Sequence, residues 1–287
     1  VLPARGRAFL EALSDRCGEA GDKVAQVNMS LFMRAADDKP YRIRTANLPQ
    51  EDGTWKRTVR GVVSTDYGDV PDRSVVDALL DTPEFRNLPV LRADITDTAM
   101  RIRLALDGNV ERGVRLPMLE AWNSEVGLRA VTLRPGQFTA DCLNGLHTVS
   151  FSGKGRYRWT HRGDPDRIVQ GFRDAVDEAT AEARGVMDLY DQALDTRIDN
   201  IVAFLDQELS DLLPQKQIRS VTAALNDPTT TPGNTLASAI DAVTLVAQSG
   251  DLWATDNLEQ AAGRMLGRGL SQAHAGLIAV KEVAEAK

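Results

Sequence analysis

Cysteine and histidine are scarce in this 287-residue chain, which holds two cysteines, Cys17 and Cys142, and three histidines. Two distant cysteines argue against a disulfide framework and fit a reducing compartment. The Cys142-to-His147 step lacks the second ligand pair that a structural zinc site needs. Aromatic residues are also sparse, at 5%. No apolar run approaches the roughly 18–20 residues that span a bilayer, and the first residues lack the apolar core of a signal peptide, so a cytoplasmic chain without a membrane partner is expected. Neither a glycine-rich phosphate loop nor a Gly-x-Ser-x-Gly elbow occurs. The sequence therefore offers no positive argument for an enzyme, a catalytic residue, a metal site or a cofactor.

What is present is the composition of an ordinary globular protein, 43% apolar and 26% charged, long enough for one large domain or two smaller ones. The net charge of −7 conceals an asymmetry. Residues 1–164 carry 24 Lys/Arg and 22 Asp/Glu, a balance of +2, whereas residues 165–287 carry 10 and 19, a balance of −9. The secondary-structure pattern changes at the same place. A strand-rich α+β domain is expected over 1–163 and a helical region over 164–287, giving an α+β fold whose antiparallel strands precede its helices.

Within the first part, a helix is expected over 3–21 and an apolar run of undecided type over 24–33. Alternation then predicts a hairpin from Tyr41–Thr45 and Thr54–Ser64, whose polar residues include Arg42, Arg44, Lys56, Arg57 and Arg60. Asp72 is placed to cap a helix with Val75, Val76, Leu79 and Leu80 on its buried stripe. Strands follow near 90–96 and 98–106. The second puts Met100, Ile102, Leu104 and Leu106 on one face and Arg101 and Arg103 on the other. Further strands are expected at 116–122, 127–133 and 138–142, with turns at Arg134–Gln137 and Asn144–Gly145.

Asp164 and Pro165 open the helical part as N-cap and first helical residue. Apolar residues recur at steps of three and four from Ile168 to Leu212. That predicts a helix over 165–213, roughly 65–70 Å if unbroken, with a bend near Asp195–Asn200 or a projection into a partner. Pro214 ends it, a short helix spans 215–225, and Asn226–Asn234 forms a linker. Helices near 235–248, 256–267 and 270–285 complete the chain.

Two polar motifs stand out. Asn123-Ser124-Glu125-Val126-Gly127 has the residues of a self-bonded turn, although Glu125 alone has the chemistry of a base or ligand. Asp141-Cys142-x-Asn144-Gly145 reads first as core and turn chemistry. The most basic and aromatic stretch, Lys154 to Arg162, alternates Arg156, Arg158 and Thr160 with Tyr157, Trp159 and His161. Cations on one face can follow phosphates while aromatic rings stack on bases. The alternative is that Tyr157 and Trp159 are core residues and the arginines are solvated or paired.

Several segments together resemble the phage/plasmid-related protein family, a domain of unknown function numbered 932. They are Asn123 to Gly127, Cys142-Leu143-Asn144-Gly145-Leu146, Gly61-Val62-Val63-Ser64 with Tyr67, and Asn234-Thr235-Leu236 with Asp241-Ala242-Val243-Thr244. The similarity covers roughly residues 40–250. Ala237, where a large aromatic is expected, and His147, where an aliphatic is usual, depart from it. The resemblance implies a phage, prophage or plasmid setting and brings no activity with it.

The leading expectation is a DNA-metabolism protein that binds single-stranded nucleic acid, in strand annealing or recombination mediation. Its contact surface would comprise Lys154, Arg156, Tyr157, Arg158, Trp159 and Arg162, extended by Arg42, Arg44, Arg60 and Arg103. Homo-oligomerisation through the long helix is expected alongside. The competing expectation is a self-assembling or protein-binding module without nucleic-acid affinity, which the acidic helical half favours. A metal hydrolase using Glu125 or Asp141 is the third class.

Overall fold

A computed structural model describes residues 41–49, 52–96, 98–107, 110–111, 114–139, 144–147, 157–250 and 252–274. The elements expected over 3–21, 24–33 and 275–285 lie outside these residues, as do Asp141, Cys142, Lys154 and Arg156. The architecture is α+β, with antiparallel strands in the first half and helices in the second.

β1 (Tyr41–Pro49) and β2 (Trp55–Ser64) pair antiparallel as the expected hairpin, with a register irregularity between Arg44 and Thr45. The hairpin docks by the end near Ser64, where Val59, Gly61 and Val63 are buried, while Trp55 at the other end is 69% exposed. A Cβ on Gly61 would stand 2.8 Å from Val126 Cβ, so the absent side chain allows this approach.

The second sheet runs in the order β3 (Val90–Ile95), β4 (Met100–Ala105), β5 (Arg115–Asn123), β6 (Val131–Thr139) and β7 (Asn144–His147), with β8 (Arg158–Trp159) also pairing β6. Register fixes its faces. Met100 and Leu104 of β4, Leu119 and Ala121 of β5, and Val131 and Leu133 of β6 share an apolar core with the helices. The opposite face carries Arg101 across from Trp122, and Arg103 across from Glu120, which in turn faces Arg134.

Three strand-region expectations are corrected. Arg134–Gln137 is not a turn but the middle of β6. Pro135 is tolerated there because it falls between the part of β6 paired with β8, Val131 and Thr132, and the part paired with β7, from Gly136 onward. Asn144 and Gly145 lie in β7, opposite Thr139 and Phe138, and do not form the turn itself. Asp72 is the first residue of α1 (Asp72–Leu80) and not its cap, which is Pro71. The Asp72 N–H donates instead to the Glu125 carboxylate at 2.9 Å.

The long apolar periodicity from Asp164 resolves into α2 (Pro165–Asp174), α3 (Val176–Asp195) and α4 (Ile201–Leu209). Asp164 caps α2 through the Asp166 N–H at 3.0 Å, as expected. The expected interruption after Asp195 has a backbone cause. The Ile198 N–H donates to the Asn234 carbonyl at 2.7 Å, and the Leu236 N–H to the Thr196 carbonyl at 2.8 Å. Asn200 then caps α4 by accepting from the Ala203 N–H. α5 (Gln215–Ala224) follows Pro214, and the connection 226–234 leads into α6 (Leu236–Ala247), which Thr235 opens with a capping box.

The two helices expected near 256–267 and 270–285 are, over the described residues, one helix, α7 (Leu252–His274). It passes through Gly269, where a Cβ would lie 2.7 Å from the Leu236 side chain, so the glycine marks a close helix crossing and not an end. Ile168, Phe172, Val176, Ala179 and Ala183 belong to the same core as the sheet, so the apolar stripe of the long periodicity is used within the chain. A second core joins Tyr190 and the helices after it. Among the described residues, no helix is long and apolar enough to cross a membrane.

Candidate functional site

The Asn123–Gly127 motif is a structural junction between the hairpin, the sheet and α1. Asn123 Nδ2 donates to the Val70 carbonyl at 3.0 Å and to the Asp72 carboxylate at 2.7 Å. Ser124 Oγ donates to the Thr98 carbonyl at 2.7 Å and accepts from the Leu128 N–H at 3.1 Å. Glu125 receives the Arg60 guanidinium at 2.5 Å and the Asp72 N–H, which commits both carboxylate oxygens. Gly127 takes φ +83°, and its N–H donates to the Tyr67 hydroxyl, which donates in turn to the Ser124 carbonyl at 2.5 Å. Burial pushes the Tyr67 phenol above its usual range, so the ring acts as a neutral clasp.

The arginines expected to form one basic surface do not do so. Arg42 donates to the Tyr67 carbonyl, Arg44 pairs with Asp69 and Arg60 with Glu125; all three fasten the hairpin to the body. Arg103 is fully buried and bonded to Glu120 at 2.7 Å and to Glu259 of α7. Burial opposes its charge, but Glu120 and Glu259 outweigh that and raise its pKa. The strand alternation of Arg101 and Arg103 is as expected, yet the face they share is covered.

Around them lies an ion-pair layer, fully buried at Arg101, Arg103, Glu120 and Asp256 and half-buried at Arg92 and Asp94. Asp94 receives Arg101 at 2.7 Å and Arg92 at 2.7 Å. Asp256 receives both Arg129 and Arg134, and Gln260 donates to it at 2.7 Å. Trp122 Nε1 donates to Glu120 at 2.5 Å. The Arg129 guanidinium stands over Trp122 at 4.6 Å and Trp253 at 5.0 Å. Five arginines, 92, 101, 103, 129 and 134, thus meet four carboxylates, Asp94, Glu120, Asp256 and Glu259. Arg129 is the member that reaches the neighbouring cavity. Burial, followed by the charge of Arg134, lowers its pKa to about 10, so it remains a cation at neutral pH.

That cavity, about 380 Å³, opens between the hairpin base, the 126–130 loop and the segment from β8 to Arg162. Its wall holds Val62, Val63 and Val126, and the Tyr67 and His161 rings that stack at 4.7 Å. Arg129, Arg158 and Arg162 also line it, and none of the described lining residues is acidic. Arg158 and Arg162 are exposed, and among the described residues neither has an ion-pair partner. His161 is 5% exposed, with Nδ1 3.1 Å from the Gly68 carbonyl and Nε2 lacking a hydrogen-bond partner.

The 157–161 alternation is as expected, but its aromatic half turns inward. Tyr157 is buried in the core, and Trp159 packs edge-on against Phe172 at 5.7 Å, beside Gly171. Of the ten residues expected at a nucleic-acid surface, Arg158 and Arg162 come together at this cavity. Arg42, Arg44, Arg60 and Arg103 serve the interior, Tyr157 and Trp159 the packing, and Lys154 and Arg156 lie outside the described residues.

Sequence reasoning missed Arg129, Trp253, Asp256 and Glu259. A signal did exist, since Asp256 and Glu259 interrupt the otherwise apolar stripe of Leu258, Ala261, Ala262 and Met265, and acids in such a stripe face a buried partner. No protein-family model, curated protein or solved structure matches this chain.

Proposed function

We propose that this protein binds single-stranded nucleic acid through phosphate contacts made by Arg129, Arg158 and Arg162. The observation that carries the reading is three arginines among the residues lining one cavity, two of them, Arg158 and Arg162, exposed, with no acidic residue among the described ones that line it. Arginine forks match phosphate oxygens geometrically, and phosphate contacts dominate sequence-independent affinity. The reading differs from a basic-aromatic surface in placing the affinity on charge and not on stacking by Tyr157 and Trp159. The family resemblance adds a phage or plasmid setting to the proposal, in which strand annealing or recombination mediation is the extension. Fluorescence anisotropy with a labelled dT oligonucleotide tests it. Arg158→Ala/Arg162→Ala should weaken binding at least about tenfold, each missing fork contributing on the order of 1 kcal/mol. Equal affinity of the double variant sinks the assignment.

A second reading, a self-assembling module, is favoured by a different observation. Val90 and Ile95 are 60% and 69% exposed on β3, the end strand of the main sheet. Such a strand edge is a template for pairing with another chain. Size exclusion with light scattering, with and without the oligonucleotide, separates the readings. An oligomer indifferent to DNA that Val90→Lys/Ile95→Lys disperses supports the second; a monomer that binds DNA contradicts it.

A further inference from the structure

The geometry points to a narrower ligand for the same cavity: we infer that it receives a phosphomonoester, the dianionic phosphate at a nucleic-acid strand end or on a free nucleotide. For the strand-end source, this rests on the nucleic-acid reading above. Charge comes first. An internal phosphodiester brings one negative charge, whereas a terminal phosphate brings about −1.5 to −2 at neutral pH. Among the described residues, Arg158 and Arg162 have no ion-pair partner, and Arg129 belongs to a layer of five arginines and four carboxylates. A dianion matches that accumulation better than a monoanion.

The layer also lets a charge move. Asp256 keeps Arg134 and Gln260 if Arg129 turns toward a ligand, so the turn leaves no buried carboxylate without a partner. Arg129 Nε is already buried without a hydrogen-bond partner. Removing this cation from Asp256 therefore costs less than removing Arg103 from Glu120, where both groups are fully buried. Shape agrees with charge. The site is a concavity of about 380 Å³, within the roughly 300–1,000 Å³ of small-ligand sites, and its wall is apolar and aromatic beside the cations. Apolar surface beside a phosphate site suits the sugar and base that a nucleotide carries.

The consequence reaches the two tryptophans. Because Arg129 lies over both Trp122 and Trp253, its movement toward a ligand changes the field at both indoles. Tryptophan emission thus reports occupancy without any label on the ligand.

The test compares four probes on the full chain: a 5′-phosphorylated dT oligonucleotide, its 5′-hydroxyl counterpart, circular single-stranded DNA and thymidine 5′-monophosphate. The expected result is about tenfold tighter binding of the phosphorylated strand than of the hydroxyl-ended one, a preference of about 1.4 kcal/mol. Thymidine 5′-monophosphate should compete and shift the tryptophan emission, and both effects should vanish in Arg158→Ala/Arg162→Ala. These two residues are exposed, and an unchanged thermal midpoint confirms that the variant is folded. Equal binding of all three strands overturns the phosphomonoester inference and leaves the nucleic-acid reading standing. Mononucleotide binding with no strand bound supports the inference and overturns the nucleic-acid reading. Binding of none overturns both.

Discussion

Glu125 holds a cation and a helix start together, receiving Arg60 at 2.5 Å and the Asp72 N–H at 2.9 Å. Glu125→Ala should therefore destabilise the fold by about 2–3 kcal/mol, less than a fully buried pair because both side chains keep some solvent. Urea unfolding measures this, and a loss below about 0.5 kcal/mol contradicts the junction role. His161 gives a pH-dependent counterpart. Burial lowers its pKa, against the pull of the Gly68 carbonyl and Asp69. The unfolded chain then binds this proton more readily, so folded stability falls as pH drops through about 6.5. His161→Gln should reduce the decline in thermal midpoint between about pH 7.5 and 5.5, either side of the ordinary histidine value, and an unaltered decline refutes the assignment. At this scale the sequence was half legible. A period of two placed Arg103 on the face opposite Leu104, but periodicity says nothing about what covers that face. The cover is Glu259, 156 residues away in the chain.

Among the elements, the hairpin is the one whose position decides the cavity. Its strands were legible from alternation and the Gly-containing loop; its docking was not, since that depends on Gly61 meeting Val126. Gly61→Ala puts a methyl group 2.8 Å from Val126 Cβ, which strand packing cannot absorb without displacing the 126–130 loop. The expected cost is about 1–3 kcal/mol, with weakened ligand binding, because the same loop lines the cavity. Full affinity in a destabilised Gly61→Ala variant would show that the loop does not shape the site. Two expected element boundaries are absent from the fold. Arg134-Pro135-Gly136-Gln137 reads as a turn, yet its proline sits where β6 changes partner from β8 to β7. The boundary expected between helices at 267 and 270 falls inside α7, where Gly269 admits Leu236 at a crossing. The break after Asp195 was legible because an unbroken helix of roughly 65–70 Å is long for a compact domain, although its partner segment at 234–236 was not.

On the scale of the whole molecule, the uneven charge is partly internal complementarity. Arginines from the first half meet acids from the second at Arg103–Glu259, Arg129–Asp256, Arg134–Asp256 and Arg115–Asp191. A balance of +2 against −9 thus does not by itself identify an external partner. Glu259→Ala removes a carboxylate from both Arg101 and Arg103, each fully buried, and should cost about 3–5 kcal/mol in urea unfolding. A cost near zero would mean that the two halves are not held by this layer. Arg158 and Arg162 at the cavity stay exposed and without an ion-pair partner among the described residues, and salt dependence counts their contacts. The slope of log affinity for a dT oligonucleotide against log salt should fall by about 1.4 in Arg158→Ala/Arg162→Ala, roughly 0.7 for each phosphate that the variant no longer neutralises on a single strand. An unchanged slope, in a variant with an unchanged thermal midpoint, would contradict the phosphate-binding role of this cavity.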